Sequence, residues 1–289
     1  MKFALVNDER IEASKGAKGV CPSCGSELIA KCGEIVIHHW AHKKKCSDHW
    51  WENETEWHRN WKNKFPKEWQ EVIQYAESGE KHIADVKTDE GWVVEFQHSH
   101  IKPEERRSRN NFYKKLIWVV DGTRLKKDIE RFKGILGAVH LDKPSQSFLY
   151  VLHPETSRLL KEWIGADSMI FLDFKDNISS NQDLWLMYPK MYEDGVYLSM
   201  VSRSTFIEYL TNNKFDEIID KVINPIRITI EHSIKKNEER NDALRPGGWF
   251  GKMHSLPESY LGNLKLPYGI LSKIDILGST YYLSKKNYK

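Results

Sequence analysis

Asp85 and Glu95 stand out among the acidic residues of this chain because the sequence around them reads as a β-hairpin that sets them side by side. HIADV at 82 to 86 and WVVEFQHS at 92 to 99 are short runs rich in β-branched and aromatic residues, and TDEG between them is turn chemistry. A three-residue loop Asp89-Glu90-Gly91, with the glycine in the left-handed position, places Asp85 opposite Glu95. Side chains alternate along a strand, so Glu95, Gln97 and Ser99 share one face while Trp92, Val94, Phe96 and His98 take the other. Two carboxylates in a cross-strand pair repel unless a positive charge sits between them. A divalent cation with oxygen ligands meets that need, and phosphodiester hydrolysis is the chemistry such sites most often serve.

The elements that must position this pair can be read on either side of it. Glu52 to Phe65 has helical period, with Trp57, Trp61 and Phe65 forming an apolar stripe and Glu54, His58 and Lys62 the neighbouring one. Pro66 ends that helix, and Gln70 to Ala76 supplies a strand. After the hairpin, Ile101-Lys102-Pro103-Glu104-Glu105 starts a helix that runs to about Lys115, with proline in its first turn and two acids at the positive end of the dipole. LIWVV at 116 to 120 is an unbroken apolar run closing on Asp121-Gly122, the pattern of a strand covered on both faces. The order is helix, three strands, helix, strand.

That order, with an acid on the first helix, an aspartate on the second strand and Glu-x-Gln on the third, resembles the PD-(D/E)XK nuclease core. More specifically, the chain resembles the CoiA-like competence proteins, through ETEWHRNWK at 54 to 62, HIADV at 82 to 86, VVEFQHSHI at 93 to 101 and RNNFYKKLIWVVDG at 109 to 122. The resemblance implies a mixed α/β (α+β) fold with an αβββαβ core. It implies Asp85 and Glu95 as ligands of Mg²⁺ or Mn²⁺, with Glu54 completing or orienting the site. Gln97 stands in the slot where the superfamily usually has lysine, and a neutral amide only donates hydrogen bonds there. Arg109, which shares a helical face with Glu105 and Tyr113, is the first candidate for a compensating cation; His58 and His82 are candidate proton carriers. The activity implied is that of a Mg²⁺- or Mn²⁺-dependent deoxyribonuclease acting in DNA uptake, recombination or defence against foreign DNA. Gln97 also gives grounds for a second reading, a catalytically inactive, zinc-containing protein that binds DNA or serves as an adaptor.

All four cysteines, Cys21, Cys24, Cys32 and Cys46, lie in the first 46 residues. Such clustering argues against a disulfide framework, and with no signal peptide or long apolar segment it points to a cytoplasmic protein without membrane association. Cys21-Pro22-Ser23-Cys24-Gly25 has the form of a zinc knuckle, followed by a small hairpin of Glu27 to Ala30 and Glu34 to His38 around Lys31-Cys32-Gly33. His39-Trp40-Ala41-His42 comes next, and CxxC with HxxH makes a closed, structural Zn²⁺ site. The CoiA-like family carries a similar CPxC and H-aromatic-x-H pair, so the resemblance implies Cys21, Cys24, His39 and His42 as ligands. A set with Cys46 in place of His39 stays open. Cys32 at a hairpin tip and His38 on the surface are not expected to bind metal. A zinc hydrolase is disfavoured, because the four ligands leave no open position.

At 289 residues, 40% hydrophobic and 29% charged, the chain is of globular rather than disordered composition and long enough for about two domains. Forty-four basic against 41 acidic residues leave a net charge of only +3, so any nucleic-acid surface must be local. Segments 1–50, 51–135 and 136–289 divide as zinc ribbon, nuclease core and an α/β extension. After Asp121-Gly122, 124 to 133 reads as a helix, and so do 156 to 164, 205 to 212 and 215 to 241 in the extension. Segments 147 to 153, 168 to 174, 184 to 189 and 196 to 202 read as strands. Asp173 is a candidate further acid near the site, although a strand acid without a partner motif is more often structural. The last helix suggests a scaffold or a contact with another subunit of a homo-oligomer, a partner protein or DNA. The chain from Arg245 is rich in glycine and proline, with a basic tail.

Overall fold

Two left-handed residues open the structure: Asn7 (φ 51°) and Asp8 (φ 65°) make the two-residue turn joining β1 (Phe3–Val6) to β2 (Glu9–Glu12), with Val6 paired to Glu9. The computed structural model describes residues 1–138 apart from 45, 47, 49 and 51–53. It then describes 149–178 apart from 153, then 182–188, 195–225 and five positions between 227 and 235. β3 (Lys18–Val20), β4 (Glu27–Lys31) and β5 (His39–His42) complete an antiparallel sheet in the order β2-β1-β3-β4-β5. Gly19 is required where β3 crosses β1, since a Cβ there would come within 3.0 Å of Ala4 Cβ and Leu5 O. The sheet buries Ala4, Cys21, Leu28 and Trp40, with Ile83 packed against them from further along the chain. The expected strand Glu34 to His38 is replaced by His39–His42. Trp40 is fully buried opposite Ala30, whereas Ile35 is 98% exposed, so burial of the indole sets the register against the β-branched run.

The αβββαβ core follows. α1 (Glu56–Lys62) starts later than its apolar period implies, because Thr55 caps it: Thr55 Oγ1 accepts from His58 N while the His58 ring accepts from Thr55 N. Trp57, Trp61 and Phe65 are all buried, the last beyond the helix end. β6 (Gln70–Tyr75), β7 (Lys81–Lys87) and β8 (Val93–Gln97) form an antiparallel meander. Gly91, at φ 82°, closes the β7–β8 turn of Asp89, Glu90 and Gly91 as its sequence predicts. α2 (Pro103–Phe112) has Pro103 in its first turn, and β9 (Leu116–Asp121) is buried at every position and parallel to β8.

Beyond lie α3 (Lys126–Ala138), β10 (Leu149–Leu152), α4 (Arg158–Trp163), β11 (Met169–Asp173), β12 (Leu184–Met187), β13 (Gly195–Val201), α5 (Arg203–Thr211) and α6 (Phe215–Ile218). The chain folds as two units, Met1–Arg124 with Ala166–Asp173, and Leu125–Gly165 with Phe174 onward. In the first, β11 lies parallel to β9 with Asp173 beside Asp121, so the sheet of the nuclease-like core takes in a strand from beyond residue 135. Asp173 is fully buried and accepts from the indole nitrogens of Trp57 at 2.9 Å and Trp61 at 2.8 Å, which locks α1 onto the sheet. In the second unit, β13 pairs antiparallel with both β10 and β12, over a core that includes Phe132, Phe174 and Trp185. The helix expected from Phe215 passes into a π turn at Ile219–Ile223; residues 236–241 and the segment from Arg245 lie outside the described residues. Among the described residues no helix is long and apolar enough to cross a membrane.

Candidate metal centres

The knuckle Cys21–Gly25 is closed by Gly25 N donating to Cys21 O at 2.8 Å, with Gly25 at φ 71°. That turn brings two thiols together, and β5 supplies His42. The ligand atoms of Cys21, Cys24, His42 and Cys46 all lie within 4.8 Å of one another, a Cys₃His cluster able to hold a metal such as zinc. Burial opposes ionisation of Cys24, but hydrogen bonds with Ser26 and His42 outweigh it and bring the thiol down to about 6; Cys21, more buried, is pushed up to about 12. A low thiol pKa beside an imidazole suits a bound cation, which binds the thiolate.

His39, in the set favoured by the resemblance, is not part of this cluster. Both histidines lie on β5, and residues three apart on a strand point to opposite faces, so one can join the cysteines and the other cannot. His39 Nδ1 instead bonds Ile37 O at 2.9 Å, and Cys46 takes the fourth position. Cys32 stays outside the cluster and His38 is exposed.

The second centre is built on the β7–β8 ladder. Val86 pairs with Val94, which sets Asp85 across from Glu95, and Phe96 N donates to Asp85 Oδ2 at 3.0 Å. Glu95 is 4% exposed. Arg109 Nη1 donates to its Oε2 at 2.9 Å, while Oε1 has no hydrogen-bond partner among the described residues. Burial, and then the neighbouring Asp85 charge, push the Glu95 carboxyl up to about 8 despite Arg109. A buried carboxylate oxygen with an open valence, facing a second carboxylate, is what a hard cation would satisfy. Asp85, Glu95, Glu54, His58, Lys62, Glu71 and Arg109 line a common cavity of about 70 Å³, room for an ion and its waters but not for a nucleotide.

Around this pair the expected residues divide. Glu54 is buried, with Oε1 2.8 Å from both Arg59 Nε and Lys62 Nζ and Oε2 3.5 Å from the Met1 nitrogen. Those charges overcome its desolvation and hold its carboxyl far below the usual range, so its place is to orient cations. Gln97 is buried but turns along its own strand, its amide donating to Ser99 O at 3.1 Å, and is not among the cavity-lining residues. Arg109, the candidate compensating cation, bonds Glu95 through one amino group, and its other is committed to Trp50 O at 2.7 Å and Glu105 at 2.5 Å. His58 lines the cavity with Nδ1 given to the Thr55 cap. His82 stacks on Trp50 and bonds Asp48 and Glu80 through its two ring nitrogens, each at 2.9 Å.

Two models of known families match the chain: competence protein CoiA, N-terminal domain, over residues 4–49, and competence protein CoiA, nuclease-like domain, over residues 68–185. Together they cover more than half of the sequence. The chain belongs to the CoiA-like competence protein family. No curated protein and no solved structure gives a significant match. The nuclease-like domain marks a nuclease-related competence protein, and its matched span takes in β11, the strand beyond residue 135 that pairs with β9.

Three residues of this CoiA-like site were given no role by the sequence motifs. Asp48, two residues after Cys46, accepts from Ile83 N at 3.0 Å and from Trp50 N at 3.0 Å, so one short segment joins the cysteine cluster to the wall of the carboxylate cavity. Glu71 adopts φ 49° and accepts from Lys2 N at 2.6 Å and Phe3 N at 2.9 Å, clamping the N-terminal sheet to the core. Lys62 is fully buried between Glu54 and Glu71. Burial alone would lower its pKa, but Glu71, Glu54 and Asp85 raise it above the ordinary value. Only Lys62 had left a signal, as the third member of the Glu54, His58, Lys62 stripe.

Proposed function

We propose that this chain is a divalent-metal-dependent nuclease that hydrolyses DNA phosphodiester bonds, in DNA uptake, recombination or defence against foreign DNA, and that it works in the cytoplasm. The observation that carries the reading is the facing of Asp85 and Glu95 across the β7–β8 ladder, with Glu95 Oε1 buried beside the cavity and without a hydrogen-bond partner among the described residues. These two would hold Mg²⁺ or Mn²⁺, which when bound lowers the pKa of water and neutralises phosphate charge. Arg109 fixes the Glu95 carboxylate, Phe96 N fixes that of Asp85, and Glu54 holds Lys62 and Arg59 in place. His58 stands at the cavity wall, where its ring can move a proton once its capping bond loosens. The Cys₃His cluster holds Zn²⁺ in a closed, structural role and supports the N-terminal sheet. Because the cavity admits no nucleotide, DNA would meet this centre from outside, with the scissile phosphate presented at its mouth.

The test is cleavage of single-stranded, duplex and branched DNA by protein that keeps its zinc, with and without added Mg²⁺ or Mn²⁺. Metal-dependent cutting supports the reading. Binding of DNA without cutting on every substrate would instead favour a catalytically inactive DNA-binding or adaptor protein, a reading supported by Gln97 turning away from the cavity.

A further inference from the structure

Three carboxylates meet at one ammonium in the wall of the carboxylate cavity. Lys62 Nζ lies 2.8 Å from Glu54 Oε1, 2.8 Å from Glu71 Oε1 and 3.9 Å from Asp85 Oδ1. It belongs to the last turn of α1, whose start is fixed by the Thr55 cap and whose apolar face is fixed by Asp173, so the amine is delivered by a rigid element. Each carboxylate is also held from elsewhere: Glu71 by Lys2 N and Phe3 N, Glu54 by Arg59, Asp85 by Phe96 N. A divalent ion at the position of Nζ would have to expel a buried ammonium held at 2.8 Å by two carboxylates. Between Asp85 and Glu95 it would meet the open oxygen of Glu95 and the partly exposed carboxylate of Asp85, with Arg109 on the other oxygen of Glu95.

Hydrolytic centres with two metals set their ions about 3.5–4 Å apart. Here Asp85 faces Glu95 on one side and Lys62 on the other, so a fixed organic cation already occupies one of the two places. We propose that the Lys62 ammonium is the second cation of this centre, so that Asp85 and Glu95 take up a single divalent ion. The inference rests on the cation-site reading above and extends it to the number of ions. It also gives Lys62 a positioning role, holding Glu54 and Asp85 aimed without a second metal.

Titration of metal-depleted, zinc-retaining protein with Mn²⁺, followed by electron paramagnetic resonance of the free ion, counts the sites. Subtracting the Asp85→Ala variant removes adventitious binding. We expect one specific Mn²⁺ in the wild type and in Lys62→Arg, and two in Lys62→Ala. Lys62→Met, closer in volume, repeats the experiment should the alanine variant not fold, and zinc content checks the fold of each. Two specific ions in the wild type, or an unchanged count of one in both folded lysine-less variants, would overturn the proposal. DNA left uncut by a chain that binds one Mn²⁺ removes the nuclease reading and leaves this one standing. A wild type that binds no Mn²⁺ overturns both.

Discussion

Arg109 holds one oxygen of Glu95 at 2.9 Å, and the other oxygen, buried, accepts no hydrogen bond among the described residues. This half-satisfied carboxyl titrates near 8 rather than at its ordinary 4.5. The metal-free folded state therefore keeps a proton that the unfolded state has lost over that interval. Its contribution to stability is complete below about pH 4.5 and is lost as pH rises through about 8. Thermal unfolding of metal-free wild type and Glu95→Gln, compared from pH 5 to 9, should show the wild type losing ground to the variant as pH increases. Added Mn²⁺ should recover the wild type most at the alkaline end. A difference that does not change with pH contradicts this assignment.

Asp85→Ala and Glu95→Ala should each reduce metal-dependent cleavage by about 10²-fold or more. Zinc content and circular dichroism should stay at wild-type values, since neither residue touches the cysteine cluster. Undiminished cutting in both variants would remove the hydrolytic role of the ladder pair.

Cys46→Ser and Cys21→Ser should lose bound zinc to the same extent, at least about 10-fold in affinity, while His39→Ala keeps it. Metal analysis of the three purified variants decides between the two histidines. Zinc lost from His39→Ala but kept by Cys46→Ser would restore the ligand set that the resemblance implies.

Trp57→Phe removes one of two indole donors to the buried Asp173 carboxylate and should cost about 1.5–3 kcal/mol in urea unfolding. Replacing Trp61 as well should cost more than twice that, because the two donors share one acceptor oxygen. A loss below about 0.5 kcal/mol for the single variant would show that the acid finds other partners.

Gln97→Lys tests the slot where the superfamily usually carries lysine. The side chain is buried and directed along its strand, so a lysine there would bring a desolvated ammonium without entering the cavity. Stability should fall by about 1–3 kcal/mol and cleavage should not rise. Faster cutting by this variant would mean that the third strand can still deliver a cation to the phosphate.

The ladder pair could be read from the sequence because every local signal agreed: alternation in WVVEFQ, β-branched residues in both strands, and a glycine where the turn needs φ 82°. The first twenty residues gave far less. Their strands are three or four residues long and ERIE is nearly all polar, so no periodic pattern marks the first hairpin. In the hairpin that follows, propensity favoured Ile35 to Ile37, but the fold buried Trp40 instead, and that choice moved Cys46 rather than His39 to the metal cluster. Lys62 was visible on its helical stripe. Its meaning was not, because it depends on Glu71, a residue held in a left-handed backbone conformation by two amides from the start of the chain. Long-range arrangements of this kind leave no periodic trace in sequence.

One of the two parallel neighbours of Leu116–Asp121 is encoded some fifty residues downstream, and its Asp173 receives both α1 indoles. A gene fragment stopped at 135 would thus expose a raw rim of amides and carbonyls and leave two tryptophan nitrogens pointing at a hole. Such a piece should stick to its own copies through that rim. Anyone trimming this polypeptide to its smallest soluble version must run past residue 173.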